Sequence, residues 1–343
     1  MTDTQDERTW ILTGSVMILA VVAVGVVIIY TRSVMIPFVI AIFIASLVSP
    51  VVDYQVLRLK LPRSVAVSVS LLIVLVVITV LCLFVVGAAQ QVVATTGKYG
   101  DSLANLAQRL GTTLDEWGIH LDQEKIGQDI RAKIPAAATQ IAGTTVNLLS
   151  NMFLVTIFVI FLLAGRNPHA IRSGIYAEID QKIRGYIGSK VAISAVTGIL
   201  VWITLSLFGL ELASVFAIFT FLLNFIPSIG SVIATLLPIP IAVAQFTGQP
   251  WMVAGVIIIP GAIQIFIGNG IEPKLMGEGL QLHPVTVVLA LSFWGVLWGP
   301  IGMVLAVPIT AIIRIVLMRF ETVRPIGRLL AGELPGKTSD DAV

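Results

Sequence analysis

Asn224-Phe225-Ile226-Pro227-Ser228-Ile229-Gly230 puts helix-breaking and polar residues into a stretch that is otherwise almost pure hydrocarbon. A later apolar run is interrupted in the same way by Gly268-Asn269-Gly270-Ile271-Glu272-Pro273. In lipid every backbone N–H and C=O needs a partner, so broken backbone at membrane depth persists only where protein buries it or a watered cavity receives it. Interruptions of this kind are where a polar solute is held.

The surrounding composition fixes the setting. Of 343 residues, 57% are apolar and 12% charged, against roughly 25% charged in an average soluble domain. Several apolar runs reach the ~20 residues that a helix needs to cross ~30 Å of hydrocarbon, and the period-two alternation of a membrane barrel is absent. The fold class is therefore all-α polytopic membrane protein, with about eight to ten transmembrane or re-entrant helices and a small helical extramembrane insert. A net charge of +2 gives no general pull toward nucleic acid. The single cysteine, Cys82, lies in an apolar run and reads as a small packed hydrophobe. Residues 1–9 carry three acids and one Arg ahead of an apolar run too long for a signal-peptide core, so that run reads as a retained span.

Working outward, the chain divides into six stretches. Residues 1–89 hold N-terminal transmembrane helices, Ile11 to Tyr30, Val34 to Val52 and Val65 to Val86, the first two joined as a hairpin by Thr31-Arg32-Ser33. Residues 90–143, with five Lys/Arg and six Asp/Glu, form a water-exposed helical insert. There Leu103, Leu106, Leu110, Leu114 and Trp117, then Ile126, Ile130 and Ile134, recur at helical steps. Residues 144–165 are a further transmembrane helix. In 166–190, Ile171, Ile175, Ile179, Ile183 and Ile187 draw a slanting stripe among Arg and Lys, as in a cytoplasmic amphipathic helix. Residues 191–318 form a C-terminal transmembrane core with broken or re-entrant helices, and 319–343 a cytoplasmic tail. The spans beside Pro227-Ser228-Ile229-Gly230 are short enough for a re-entrant hairpin. Gly295, Gly299 and Gly302 with Pro300 mark a tight turn between two later spans.

Orientation follows from the short loops. With the N-terminus inside, Arg58, Lys60, Arg63, the five cations between 166 and 190, and Arg319, Arg324 and Arg328 all fall on the cytoplasmic side. Both termini are then cytoplasmic, and the interruptions at Pro227 and Pro273 open toward that side.

No catalytic constellation emerges, and the expectation is a non-enzyme without cofactor. His120, His169 and His283 lie far apart with no partner at metal-ligand spacing. Gly336-Lys337-Thr338 lacks the upstream glycine and strand of a phosphate loop. What remains is polar residues scattered through hydrocarbon, which face an interior rather than lipid. They are Asn224, Ser228, Gln245, Gln264, Asn269 and Glu272. With Pro227, Gly230 and Pro273 as the breaks, the candidate substrate-binding or gating set is Asn224, Pro227, Ser228, Gly230, Gln264, Asn269, Glu272 and Pro273. Amides and freed carbonyls suit a small hydroxylated solute; a coupled cation needs carboxylate oxygen, and only Glu272 offers it. Glu272 equally fits a salt bridge at the cytoplasmic interface. Arg314, inside the last apolar run, reads as snorkelling to the inner surface.

Pro37-Phe38-Val39-Ile40-Ala41, Asn224 through Ser231, Gly268-Asn269 with Glu272-Pro273 and Met276-Gly277, Phe293-Trp294-Gly295, and Gly299 through Met303 with Val307-Pro308 together resemble the autoinducer-2 exporter family. The resemblance implies a transporter of the bacterial inner membrane, a homo-oligomer with pentamers expected, and export of the quorum-sensing signal autoinducer-2. It also implies an alternative, sodium or lithium to proton antiport. A third reading, a membrane scaffold that recruits proteins through the insert, requires no transport.

Overall fold

The computed structural model describes residues 2–116, 152–165, 174–276, 280 and 282–333. Among these all regular structure is helical: α1 (Thr2–Tyr30), α2 (Arg32–Leu57), α3 (Arg63–Glu116), α4 (Met152–Ala164), α5 (Ile175–Leu207), α6 (Ala213–Leu223), α7 (Ile229–Leu236), α8 (Ile239–Gln245), α9 (Pro250–Phe266), a π turn (Ile267–Ile271), α10 (Glu272–Met276), α11 (Pro284–Leu317) and α12 (Arg324–Ala331). Five helical stretches are long and apolar enough to cross a membrane. Side chains such as Phe161 and Val296, 72% and 84% exposed, are tolerable on so large a scale only against lipid. This is a polytopic, all-α membrane protein.

The chain separates into two compact units, one of Met1–Ala45, Leu154–Asp180 and Leu280–Val343, the other of Ser46–Phe153 and Gln181–Gly279. In the first unit α11 is a hairpin rather than a straight span. Gly299 takes φ 67 and ψ −148, and Trp294 Nε1 lies 3.4 Å from Thr310 Oγ1, although sixteen residues of straight helix would put them ~24 Å apart. The arms close because Gly302 has no Cβ; one there would stand 2.0 Å from the carbonyl oxygen of Trp294. The tight turn expected at Gly299-Pro300 is present, and its glycines make the arms touch. Arg314 on the second arm is only 6% exposed. It is packed in rather than snorkelling, like Trp294, Trp298 and Thr310 of the same hairpin.

The second unit holds the other interruption. α6 and α7 fold back on each other across 224–228, with Ser228 in a positive-φ conformation (φ 60). A Cβ on Gly230 would come 1.8 Å from the Leu223 carbonyl oxygen, so only glycine permits that approach. Pro238 then divides the following run into α7 and α8. At eleven residues α6 rises ~16 Å, well short of the ~30 Å hydrocarbon layer, which is the length of a re-entrant arm. The loop entering α6 is held by Gln245, which donates to Gly209 O (2.7 Å) and accepts from Glu211 N (2.9 Å).

Several boundaries differ from those read in the sequence. α3 runs unbroken from the span into 89–116, because Gln, Ala and Leu there favour helix as much as the apolar residues before them. α5 likewise carries the isoleucine stripe into the following span without a break at 190. α1 and α2 share Thr31 as linker: it donates to Val27 O and accepts from Met35 N. Trp117, Ile126, Ile130, Ile134, His120, Arg166, His169, Ile171, Arg172 and the part of the expected tail beyond 333 lie outside the described residues.

Candidate functional site

Glycine, asparagine and proline at 268–273 signal a break, yet the chain stays helical there by widening. Pro273 has no N–H to give to the ladder, and residues 267–271 form a π turn in which the Glu272 N–H bonds Ile267 O. Such turns redirect side chains and recur at functional sites. Here the turn places Asn269 and Glu272 toward α5 and the α6–α7 reversal.

The result is a cavity of about 380 Å³. α5 contributes Lys190; the reversal contributes Asn224, Ile226, Pro227 and Ser228; α9 contributes Gln264; the π turn and α10 contribute Asn269 and Glu272. Six of the eight residues expected from sequence, Asn224, Pro227, Ser228, Gln264, Asn269 and Glu272, thus line one space. The other two do not: Gly230 packs on the Leu223 carbonyl, and Pro273 is exposed beside the cavity. Each acts through the backbone, closing the hairpin or opening the π turn.

Lys190 is the residue that sequence reading missed. Its side chain is 2% exposed and its Nζ lies 2.5 Å from Glu272 Oε1. In the sequence Lys190 closes a cation-rich segment and looks interfacial; the continuous α5 carries it into the core instead. The only signal was its helical register with Ser194 and Thr197, which stand one and two turns further along the same face. Glu272 is therefore in a salt bridge, but with Lys190, 82 residues away, and at the cavity wall. A buried ion pair offsets desolvation rather than adding to stability, so it is weak as scaffolding.

Two amides complete the wall. Asn224 is 7% exposed and donates from Nδ2 to Ser194 Oγ at 3.2 Å. Gln264 is also 7% exposed, and its Nε2 has no hydrogen-bond partner. A buried unpaired amide nitrogen costs about 1–3 kcal/mol unless something else accepts from it. Gln264 lines the cavity, so rotation of its amide can turn that donor to an incoming oxygen. The site thus combines one internally compensated charge pair with neutral amides and a hydroxyl, suited to a small, oxygen-rich solute without large net charge. Of the described histidines, His283 caps α11, accepting from Val285 N at 3.3 Å. Among the described residues no cluster of His, Cys, Asp and Glu is placed to hold a metal ion.

Known proteins carry the same arrangement of sequence. A family described as AI-2E family transporter matches residues 16–321. The AI-2 transport protein TqsA of Escherichia coli (strain K12) is 32% identical over 320 residues, covering 88% of this chain and 90% of that protein. YhhT of the same organism is 27% identical over 289 residues, 80% of this chain and 81% of that one. A relative from Haemophilus influenzae is 30% identical over 304 residues, with 83% and 86% covered.

Proposed function

Because this chain belongs to the AI-2E transporter family, we propose that it is a secondary transporter or facilitator of the bacterial inner membrane that exports a small polar solute, autoinducer-2. The cavity beside the Lys190–Glu272 pair carries this reading. Autoinducer-2 is a small hydroxylated molecule, and the Gln264 amide, which lacks an oxygen partner, matches it. The name of TqsA, an AI-2 transport protein, supports the choice of substrate. On the same reading the functional unit is a homo-oligomer, a pentamer, with both termini cytoplasmic and the cavity opening inward.

Antiport of sodium or lithium against protons needs a carboxylate free to take a metal ion. In the cavity that place is taken: the Lys190 ammonium stands against Glu272 as a built-in cation. This weighs for solute transport over cation exchange. A scaffold without transport has no use for a polar cavity at membrane depth.

Proteoliposomes preloaded with labelled autoinducer-2 and radioactive sodium test both readings in the same vesicles. The expected result is saturable autoinducer-2 efflux with sodium efflux at the protein-free level. Sodium exchange for protons without autoinducer-2 flux would replace this reading with the antiporter.

A further inference from the structure

Helix α5 presents one buried face whose chemistry changes partway along it. Lys190, Ser194, Thr197, Val201 and Leu205 are each 2% exposed or less, and at 100° per residue they fall within about an 80° arc. The first three are polar and the last two apolar. Ser194 accepts from Asn224, and Thr197 donates to Ile193 O at 2.7 Å. Gly198 admits α6 closely: a Cβ there would stand 3.2 Å from Ala217 O. Thr220 lies on the same side of α6 as Ala217 and Asn224. It is 1% exposed, and its Oγ1 has no hydrogen-bond partner. Packing alone is better served by an apolar side chain of the same shape. Beyond Thr197, Val201 and Leu205 join an apolar cluster that includes Val215 and Phe216.

We propose that this α5–α6 seam is the closed half of the solute path. Past the cavity, the solute's oxygens meet Ser194, Thr197 and Thr220, while Val201 and Leu205 form the dry plug that seals the route at rest. The seam deepens the transport reading and rests on it. Polar groups spaced over ~10 Å of helix, from Lys190 through Ser194 to Thr197, exchange for the solute's water as α6 moves off α5. Apolar constrictions close such routes by excluding water.

Accessibility of single cysteines in reconstituted full-length protein tests the path without any solute. With Cys82 replaced by Ala, cysteines replace Ser228, Thr197, Thr220 or, off the seam on α3, the fully buried Ala66. A charged methanethiosulfonate reagent is expected to label S228C at rest and leave the other three untouched. Adding Val201→Thr, which keeps the side chain's shape, or Leu205→Ser is expected to raise labelling of T197C and T220C at least tenfold, with A66C still protected. Two results overturn the proposal: T197C and T220C unreactive in both plug variants that elute as a single species, or labelling of A66C along with them. Failure here leaves autoinducer-2 efflux intact, and failure of efflux leaves this labelling intact, so the two readings are separable.

Discussion

Lys190 and Glu272 are worth more to the site than to the fold. Taking an ammonium and a carboxylate out of water costs several kcal/mol per ion, which their attraction roughly repays. Losing one partner leaves the other buried and uncompensated. Lys190→Met is therefore expected to destabilise by about 3 kcal/mol, with Glu272 partly open to the cavity. Lys190→Met combined with Glu272→Leu recovers most of that loss, as a thermal-unfolding double-mutant cycle in detergent will register. Glu272 was legible in the sequence as a carboxylate in hydrocarbon; its partner was not. No local pattern links position 190 to position 272, since the pairing exists only after α5 is laid beside the π turn. Asn224 and Gln264 were legible because amides stand out among leucine and isoleucine. The unpaired state of Gln264 Nε2 was not, because satisfaction is a property of packing.

At the scale of elements, two hairpins are closed by glycines that touch a carbonyl. A methyl on Gly230 or Gly302 meets Leu223 O at 1.8 Å or Trp294 O at 2.0 Å, contacts that backbone relieves only by separating the arms. Gly230→Ala and Gly302→Ala are each expected to cost about 1–3 kcal/mol or more, read as a fall in Tm of several degrees. Gly268→Ala, with nothing within 4 Å of the added carbon, is expected to leave stability within about 0.5 kcal/mol of wild type, with Tm nearly unmoved. Pro227-Ser228-Ile229-Gly230 and Gly299-Pro300-Ile301-Gly302 announced these reversals, since proline and glycine together weaken a helix, although Pro260-Gly261 stays inside α9. Residues 267–273 carry the same signals yet only widen the helix. A π turn keeps every donor satisfied but shifts its partner by one residue, and composition does not distinguish that from a break. Continuity at 190 was hidden for a related reason: a run of charges ends a membrane span without ending its helix.

For the whole molecule, the apolar exterior follows from composition and the polar interior from a handful of exceptions to it. One unit holds the Gly299 hairpin, and the other gathers the cavity and its seam. The proposed role of this cavity is to bind the transported solute, and Gln264 gives the sharpest test of it. Gln264→Leu removes an unpaired donor while keeping the side chain's bulk, so Tm is expected to hold or rise slightly. One lost hydrogen bond to solute corresponds to about 1.4 kcal/mol, or tenfold in apparent affinity. Autoinducer-2 efflux from proteoliposomes, measured against internal concentration for wild type and Gln264→Leu, is predicted to show about a tenfold rise in half-saturation. Superimposable saturation curves for the two proteins would contradict the account.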